Sequence, residues 1–207
     1  MAAARDEAEN WAALKVHLSK NSGLVAHTIV TNFNLLGDGA PMSGRYVTVI
    51  GRSSSSGEPV RELQSETEDG HFGRKMEPLA FGIAVSFANR PDHIFATVEN
   101  LRWLGEEKID GQKWDILEVQ SYMRAGKAPI RAKAWLSNVS GRVWKIHGSI
   151  EKSILPGVKT VNFTVKYELD STGRSLPTVV TVSYPISMLF HAGSVSFTHE
   201  LSDWKSH

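Results

Sequence analysis

The residues that could take part in chemistry are eight histidines and a few neighbouring carboxylates. No two histidines lie three to five residues apart and no HExxH motif occurs, which argues against a metal site. Carboxylate pairs such as Glu66 with Glu68 lie in polar contexts, where solvation is the default. The GxSxG elbow, the P-loop and the GxGxxG motif are absent. The sequence therefore predicts no enzyme activity, no catalytic residue, no metal and no cofactor. The histidines are His17, His27, His71, His93, His147, His191, His199 and His207.

Composition argues against several further classes of protein. The chain has no cysteine, so disulfides, thiolate metal sites and cysteine nucleophiles are ruled out. Its 23 basic and 22 acidic residues are mixed along the sequence, which predicts no nucleic-acid partner. No stretch approaches the roughly 18 apolar residues of a membrane-spanning helix. Residues 1–7 hold no apolar segment, so we expect either a cytosolic protein or one whose export leader has been removed.

The elements that position these residues are one helix and a series of strands, and a length of 207 residues fits one domain over 1–207. Over about residues 5–20, apolar side chains recur at spacings of three and four, which predicts a helix. After Gly23, segments rich in Val, Ile, Thr, Tyr and Phe alternate with short turns, as in antiparallel sheets. The stretch 71–97 is ambiguous, because 78–87 could be a short helix or a buried run. Strands are predicted at 24–36, 45–52, 60–68, 98–109, 113–122, 130–136, 142–150, 158–169, 176–190 and 194–204, with a last turn at 192–193.

Alternation along the later strands predicts one apolar face and one polar face. In 161–169 every second residue is apolar, from Val161 to Leu169, and the residues between them are polar. Strands of about 11 residues reach roughly 36 Å, so one helix cannot cover this face. Either the sheet curls until the apolar face closes on itself, or it curls partly and leaves a hollow under the helix. In the first case these side chains simply pack a core; in the second, some line a cavity.

The second half of the chain resembles the LolA/LolB-like superfamily, which comprises bacterial periplasmic lipoprotein carriers and their lipoprotein-sorting relatives. The resemblance covers residues 98–204, and residues 5–97 match only in outline, as a leading helix followed by strands. The matching motifs are a turn, a strand start that carries a tryptophan, a turn before an outgoing strand, and a terminal strand. They read LGEEKIDGQK at 104–113, KAWL at 133–136, SGRVWKI at 140–146, RSLP at 174–177 and HELSDW at 199–204.

The resemblance implies a mainly β (α+β) fold: a curved antiparallel half-barrel with an N-terminal helix and a short helical lid over its concave apolar face. It also implies a periplasmic protein, with the leader removed, that receives a lipid or lipoprotein acyl chain and exchanges it with membrane-associated donor and acceptor proteins. A sensor module of the same fold and a small enzyme that uses the cavity are the alternatives. The residues that we expect to line the ligand come from the alternating apolar positions of the strands and from the helix. They are Trp11, Leu18, Trp135, Trp144, Phe163, Val165, Val182, Tyr184, Ile186 and Phe197.

Overall fold

Antiparallel strands make up most of the computed structural model, which describes residues 7–21, 23–52, 59–77, 97–122, 128–137, 140, 142–151, 158, 160–188 and 191–206. The described residues form two helices and ten strands. The helices are α1 (Glu7–Ser19) and α2 (Gly70–Met76). The strands are β1 (Leu24–Gly37), β2 (Met42–Arg52), β3 (Pro59–Glu66), β4 (Thr97–Ile109), β5 (Gln112–Tyr122), β6 (Pro129–Leu136), β7 (Val143–Glu151), β8 (Thr160–Leu169), β9 (Ser175–Met188) and β10 (His191–Ser206).

All ten strands belong to one sheet, in the order β3-β2-β1-β10-β9-β8-β7-β6-β5-β4. Every neighbouring pair is antiparallel, and every pair except β1 with β10 is consecutive in the chain. The two edge strands, β3 and β4, follow each other in the sequence but do not pair within this sheet. The sheet is therefore not closed, and the predicted mainly β fold with an N-terminal helix and a second short helix is confirmed.

The core lies on one face of the sheet, which we call the inner face. Strand β8 shows why these residues form it: Val161, Phe163, Val165 and Tyr167 are buried, while the residues between them are more exposed. The same alternation continues in the neighbouring strands, where Val182 pairs with both Phe163 and Phe197. Burying side chains of this size contributes about 1.5–3 kcal/mol each. The predicted alternation therefore places one continuous apolar layer across the sheet.

Helix α1 begins with Glu7 and Glu9, which suit the positive end of the helix dipole. Its contacts are with β4 and β5, and the Glu7 carboxylate accepts a hydrogen bond of 2.9 Å from the backbone N–H of Trp103 on the edge strand. The buried side chains of the helix are those of Asn10, Leu14, His17 and Leu18. Polar groups thus share the buried side of α1, in contrast to the largely apolar side that the spacing predicts.

Helix α2 packs on β2 and β1, close to the backbone. A Cβ atom at Gly73 would lie 2.1 Å from Cδ1 of Phe33, so only glycine permits this approach. Gly44 lies against the same ring and against the start of α2, and a Cβ there would be 2.6 Å from the nitrogen of Gly70. Part of the ambiguous stretch is therefore a helix that lies over the inner face. The predicted short helix or buried run at 78–87 lies outside the described residues.

The predicted turn at 192–193 is wrong, because both residues belong to β10. Gly193 pairs with Ile186 of β9 and with Gly37 of β1. A Cβ atom at Gly193 would lie 2.4 Å from the carbonyl oxygen of Leu36, so this glycine permits close approach of two strands. A glycine in the sequence can mark a turn, or it can mark a place within a strand where two backbones approach closely. Gly193 is of the second kind.

Candidate functional site

Eight of the ten predicted ligand-lining residues lie on the core side of the structure. Leu18 of α1 and Phe163, Val165, Val182, Tyr184 and Phe197 of the sheet belong to the buried apolar core. Trp11 and Ile186 are partly buried and pack against that core. The structure therefore brings these eight together around the inner face, where their role in holding a ligand stays a prediction.

Trp135 and Trp144 lie on the opposite, outer face of the sheet, which corrects their predicted position beside the other eight. In β6 the core receives Ala134 and Leu136, so the pleat directs Trp135 outward. There its indole N–H donates a hydrogen bond of 2.7 Å to the Glu107 carboxylate. The Trp144 ring packs edge-on against that of Trp135, with centroids 6.5 Å apart. Trp135 lies between Ala134 and Leu136, and because all three residues are apolar the sequence does not show which of them face the core.

An apolar hollow of about 210 Å³ lies at one end of the sheet, and we call it the terminal hollow. Gly37 and Gly193 face each other there across β1 and β10, and a Cβ atom on either one would lie 3.0 Å or less from a backbone oxygen of the other strand, so the two strands meet closely at the wall of the hollow. Two of its lining residues, Leu35 and Ile186, also pack against the core. The terminal hollow therefore shares two of its lining residues with the packing around the apolar core. Its lining residues are Leu35, Leu36, Gly37, Asp38, Gly39, Ala40, Ile186, Ala192 and Gly193.

A buried set of polar side chains interrupts the apolar inner face, and we call it the polar cluster. Its centre is an ion pair in which Arg61 of β3 donates two hydrogen bonds, of 2.6 and 2.8 Å, to the carboxylate of Glu77. The Arg61 side chain is 23% exposed and that of Glu77 only 2%. Arg61 also donates a bond of 3.0 Å to the Thr48 hydroxyl. The members of the polar cluster are Thr31, Tyr46, Thr48, Arg61, Glu77 and His199.

His199 is a fully enclosed titratable group of the polar cluster. Its side chain is 0% exposed, and its Nδ1 atom lies 3.0 Å from the Thr31 hydroxyl and 3.9 Å from the Glu77 carboxylate. Burial, assisted by the charge of Arg61, lowers the pKa of His199 to about 3, so the ring is neutral at pH 7. Its Nε2 atom has no hydrogen-bond partner among the described residues.

Tyr46 completes the polar cluster on β2, with its ring facing Arg61 at 5.8 Å. Burial, together with the Glu77 carboxylate, raises the pKa of the Tyr46 phenol well above its usual range. The two charges of the polar cluster belong to Arg61 and Glu77, and they cancel. The arrangement can therefore hold hydrogen bonds and one anionic group, which Glu77 supplies here.

Sequence reasoning missed the polar cluster, although one signal for it was present. His199 occupies an inner position in the alternation of β10, in phase with Val195, Phe197 and Leu201, so its burial could have been read from that pattern. The partnership of Arg61 with Glu77 has no comparable local signal, because it depends on where α2 ends over the sheet.

Two other possible features have no counterpart in the described part of the chain. No group of three or more His, Cys, Asp or Glu side chains there is arranged to hold a metal ion. No helix among those residues has the length and apolar character that crossing a bilayer requires.

Comparison with known proteins gives matches among solved structures. No protein-family model and no curated protein matches the chain. A LolA superfamily protein from Nitrosomonas europaea is 16% identical, covers 96% of this chain and 93% of its own, and has a TM-score of 0.46. An outer membrane lipoprotein-sorting protein domain from Vibrio parahaemolyticus is 11% identical, with coverages of 98% and 94% and a TM-score of 0.43. A DUF1329 family protein from Desulfovibrio piger is 11% identical, with 96% and 92% covered and a TM-score of 0.43.

These similarities concern the fold alone.

Proposed function

We propose that this chain binds the acyl chain of a lipid or lipoprotein on its inner face and carries it without chemical change. The observation that supports this proposal is the terminal hollow, which opens at the sheet end and is lined in part by Leu35 and Ile186, two residues that also pack against the apolar core. Burial of apolar surface stabilises a fold, and the apolar side chains that stay exposed around this hollow do not contribute that stabilisation. A ligand that fills it supplies the missing contacts.

The size of the terminal hollow bears on what part of a ligand it takes. An apolar cavity of about 150 Å³ holds a benzene-sized group, whereas sites for whole ligands are about 300–1,000 Å³. At about 210 Å³, the terminal hollow suits the end of an acyl chain. Each buried methylene contributes about 0.8 kcal/mol, so extension of the chain along the inner face supplies further affinity.

The carrier proposal includes a location and partners. In this proposal the protein moves a lipid or lipoprotein through the periplasm, from a membrane-associated donor to a membrane-associated acceptor, and does not change it chemically. The absence of a helix with membrane-spanning character in the described residues is compatible with such a carrier, and the proposal rests on the inner face rather than on that absence.

The experiment is displacement of a fluorescent fatty acid from purified protein, with one variant that fills the terminal hollow and one matched control. Ile186→Trp places an indole in the terminal hollow and is expected to weaken binding about ten-fold, because it removes apolar contacts and space. Thr181→Trp makes the same addition on the outer face of β9 and is expected to leave binding unchanged.

Native mass spectrometry of protein purified without detergent is the complementary test, and a co-purified lipid is the expected result. Equal weakening by both variants, or no uptake of fatty acid by the unmodified protein, would contradict the proposed function.

A further inference from the structure

The ion pair of Arg61 with Glu77 places a carboxylate on the inner face, at the end of the helix that covers it. Glu77 directly follows α2, whose Met76 packs against the core and accepts a hydrogen bond of 3.3 Å from the Tyr184 hydroxyl. Helix α2 also contacts the sheet through Gly73, which lies on the Phe33 ring. The segment 73–77 thus presents an apolar contact followed by a carboxylate. Arg74 and Lys75 lie between these two groups, so the segment shares with a fatty acid only an apolar contact and a carboxylate.

The distance between the polar cluster and the terminal hollow sets how long a ligand that reaches both must be. Thr31, beside His199, and Gly37, in the terminal hollow, are six residues apart on β1, which corresponds to about 20 Å. Half of the roughly 30 Å hydrocarbon core of a bilayer is about 15 Å, so an acyl chain that reached both points would be longer than one leaflet of that core is thick. Phe33 lies between these two points, and α2 covers it.

We propose that Arg61 binds the carboxylate of a long-chain fatty acid, and that Glu77 occupies this site in its place when the ligand is absent. The inference deepens the proposed function and rests on it, since it names the ligand as an amphiphile with one anionic head. Arginine holds a carboxylate through two parallel N–H donors, which is the geometry that Glu77 now satisfies. Exchange of one carboxylate for another keeps the site neutral, and release of Glu77 frees the end of α2.

A second ion pair between the same two elements provides the matched control. Arg74 of α2 donates a hydrogen bond of 3.0 Å to Glu66, the last residue of β3. The Arg74 side chain is 36% exposed and that of Glu66 is 24% exposed, whereas Glu77 in the first pair is only 2% exposed. Loss of this pair loosens the same helix from the same strand but leaves the polar cluster intact.

The test measures the affinities of palmitate and methyl palmitate, which differ only in the anionic head, and reports their ratio. Glu77→Gln removes the competing carboxylate, so the ratio in favour of palmitate is expected to rise about ten-fold. Glu77→Gln combined with Arg61→Gln removes the anion site and is expected to bring the ratio down to the wild-type value or below. Glu66→Gln is expected to keep the wild-type ratio.

Hydrogen exchange of the unmodified protein provides an independent measurement. The amides of Phe72 and Gly73 bond to the Asp69 carbonyl at the start of α2, and palmitate, but not its methyl ester, is expected to speed exchange in residues 70–76. The inference is overturned when both ligands bind and neither the ratio nor the exchange depends on the carboxylate. Failure of both ligands to bind overturns the proposed function as well.

Discussion

Replacement of His199 by glutamine is expected to make the stability of the protein less sensitive to mild acid. The folded protein holds this imidazole neutral, with its pKa lowered to about 3, whereas the unfolded chain has the ordinary value of 6.5. Between these two values the unfolded state binds a proton that the folded state excludes. Stability therefore falls as the pH falls below 6.5, and this loss is specific to the histidine.

The expected size follows from about 1.4 kcal/mol for each pKa unit. From pH 7 to pH 5 the free energy of unfolding should drop by about 2 kcal/mol through His199 alone. Urea denaturation at the two pH values measures this drop in the wild type and in His199→Gln, and the difference between the two drops isolates the residue. Such a comparison is needed because burial also lowers the pKa of His17, which acts in the same direction.

His147 provides the control for this experiment. Its Nδ1 atom lies 2.9 Å from the hydroxyl of Thr164 on the next strand, as that of His199 lies beside Thr31, but His147 is exposed. His147→Gln should leave the acid sensitivity at the wild-type level. Equal losses of stability in the wild type and in His199→Gln would refute the reasoning, because they would mean that the buried ring accepts a proton without cost.

Three further substitutions test the packing and the buried charges, each by urea denaturation at pH 7. Arg61→Gln leaves the Glu77 carboxylate buried without its partner and should cost about 3 kcal/mol, whereas Arg74→Gln at the exposed pair should change little. Phe33→Ala removes a ring that is 1% exposed beneath α2 and should cost about 3–5 kcal/mol. Gly193→Ala sets a methyl group 2.4 Å from a carbonyl oxygen and should cost about 1–3 kcal/mol; no loss in any of the three would contradict the contact concerned.

The strands could be predicted well because most of them carry a strict two-residue period. In β8 the apolar residues from Val161 to Tyr167 all face the core, and the observed bounds differ from the predicted ones by only a few residues. Helix α2 could not be placed in this way. Its seven residues include two glycines, and what holds it is the close approach of Gly73 to a ring distant in sequence, Phe33. Such contacts leave no period in the sequence.

The candidate site could be predicted only in strands where the alternation of apolar and polar residues shows which face of the sheet each side chain lies on. Val165 and Val182 alternate with polar residues and lie on the core side as predicted, whereas Trp135 lies in an apolar run and the pleat of β6 puts it on the other face. The polar cluster remained hidden because its ion pair joins β3 to the end of α2. Neither Arg61 nor Glu77 differs locally from the many solvated charges of the chain, so only the tertiary structure distinguishes them.

The strand order leaves one place, between the edge strands β3 and β4, where the width of the half-barrel is not fixed by pairing of neighbouring strands. Each neighbouring pair from β3 round to β4 is fixed by a ladder of backbone hydrogen bonds, and separating any of them breaks that ladder. The rims formed by β3 and β4 share no such ladder in this sheet. A change in the spacing between β3 and β4 would therefore leave every backbone ladder of the sheet intact, and the Arg61–Glu77 pair would not oppose it directly, because that pair joins β3 to the residue after α2.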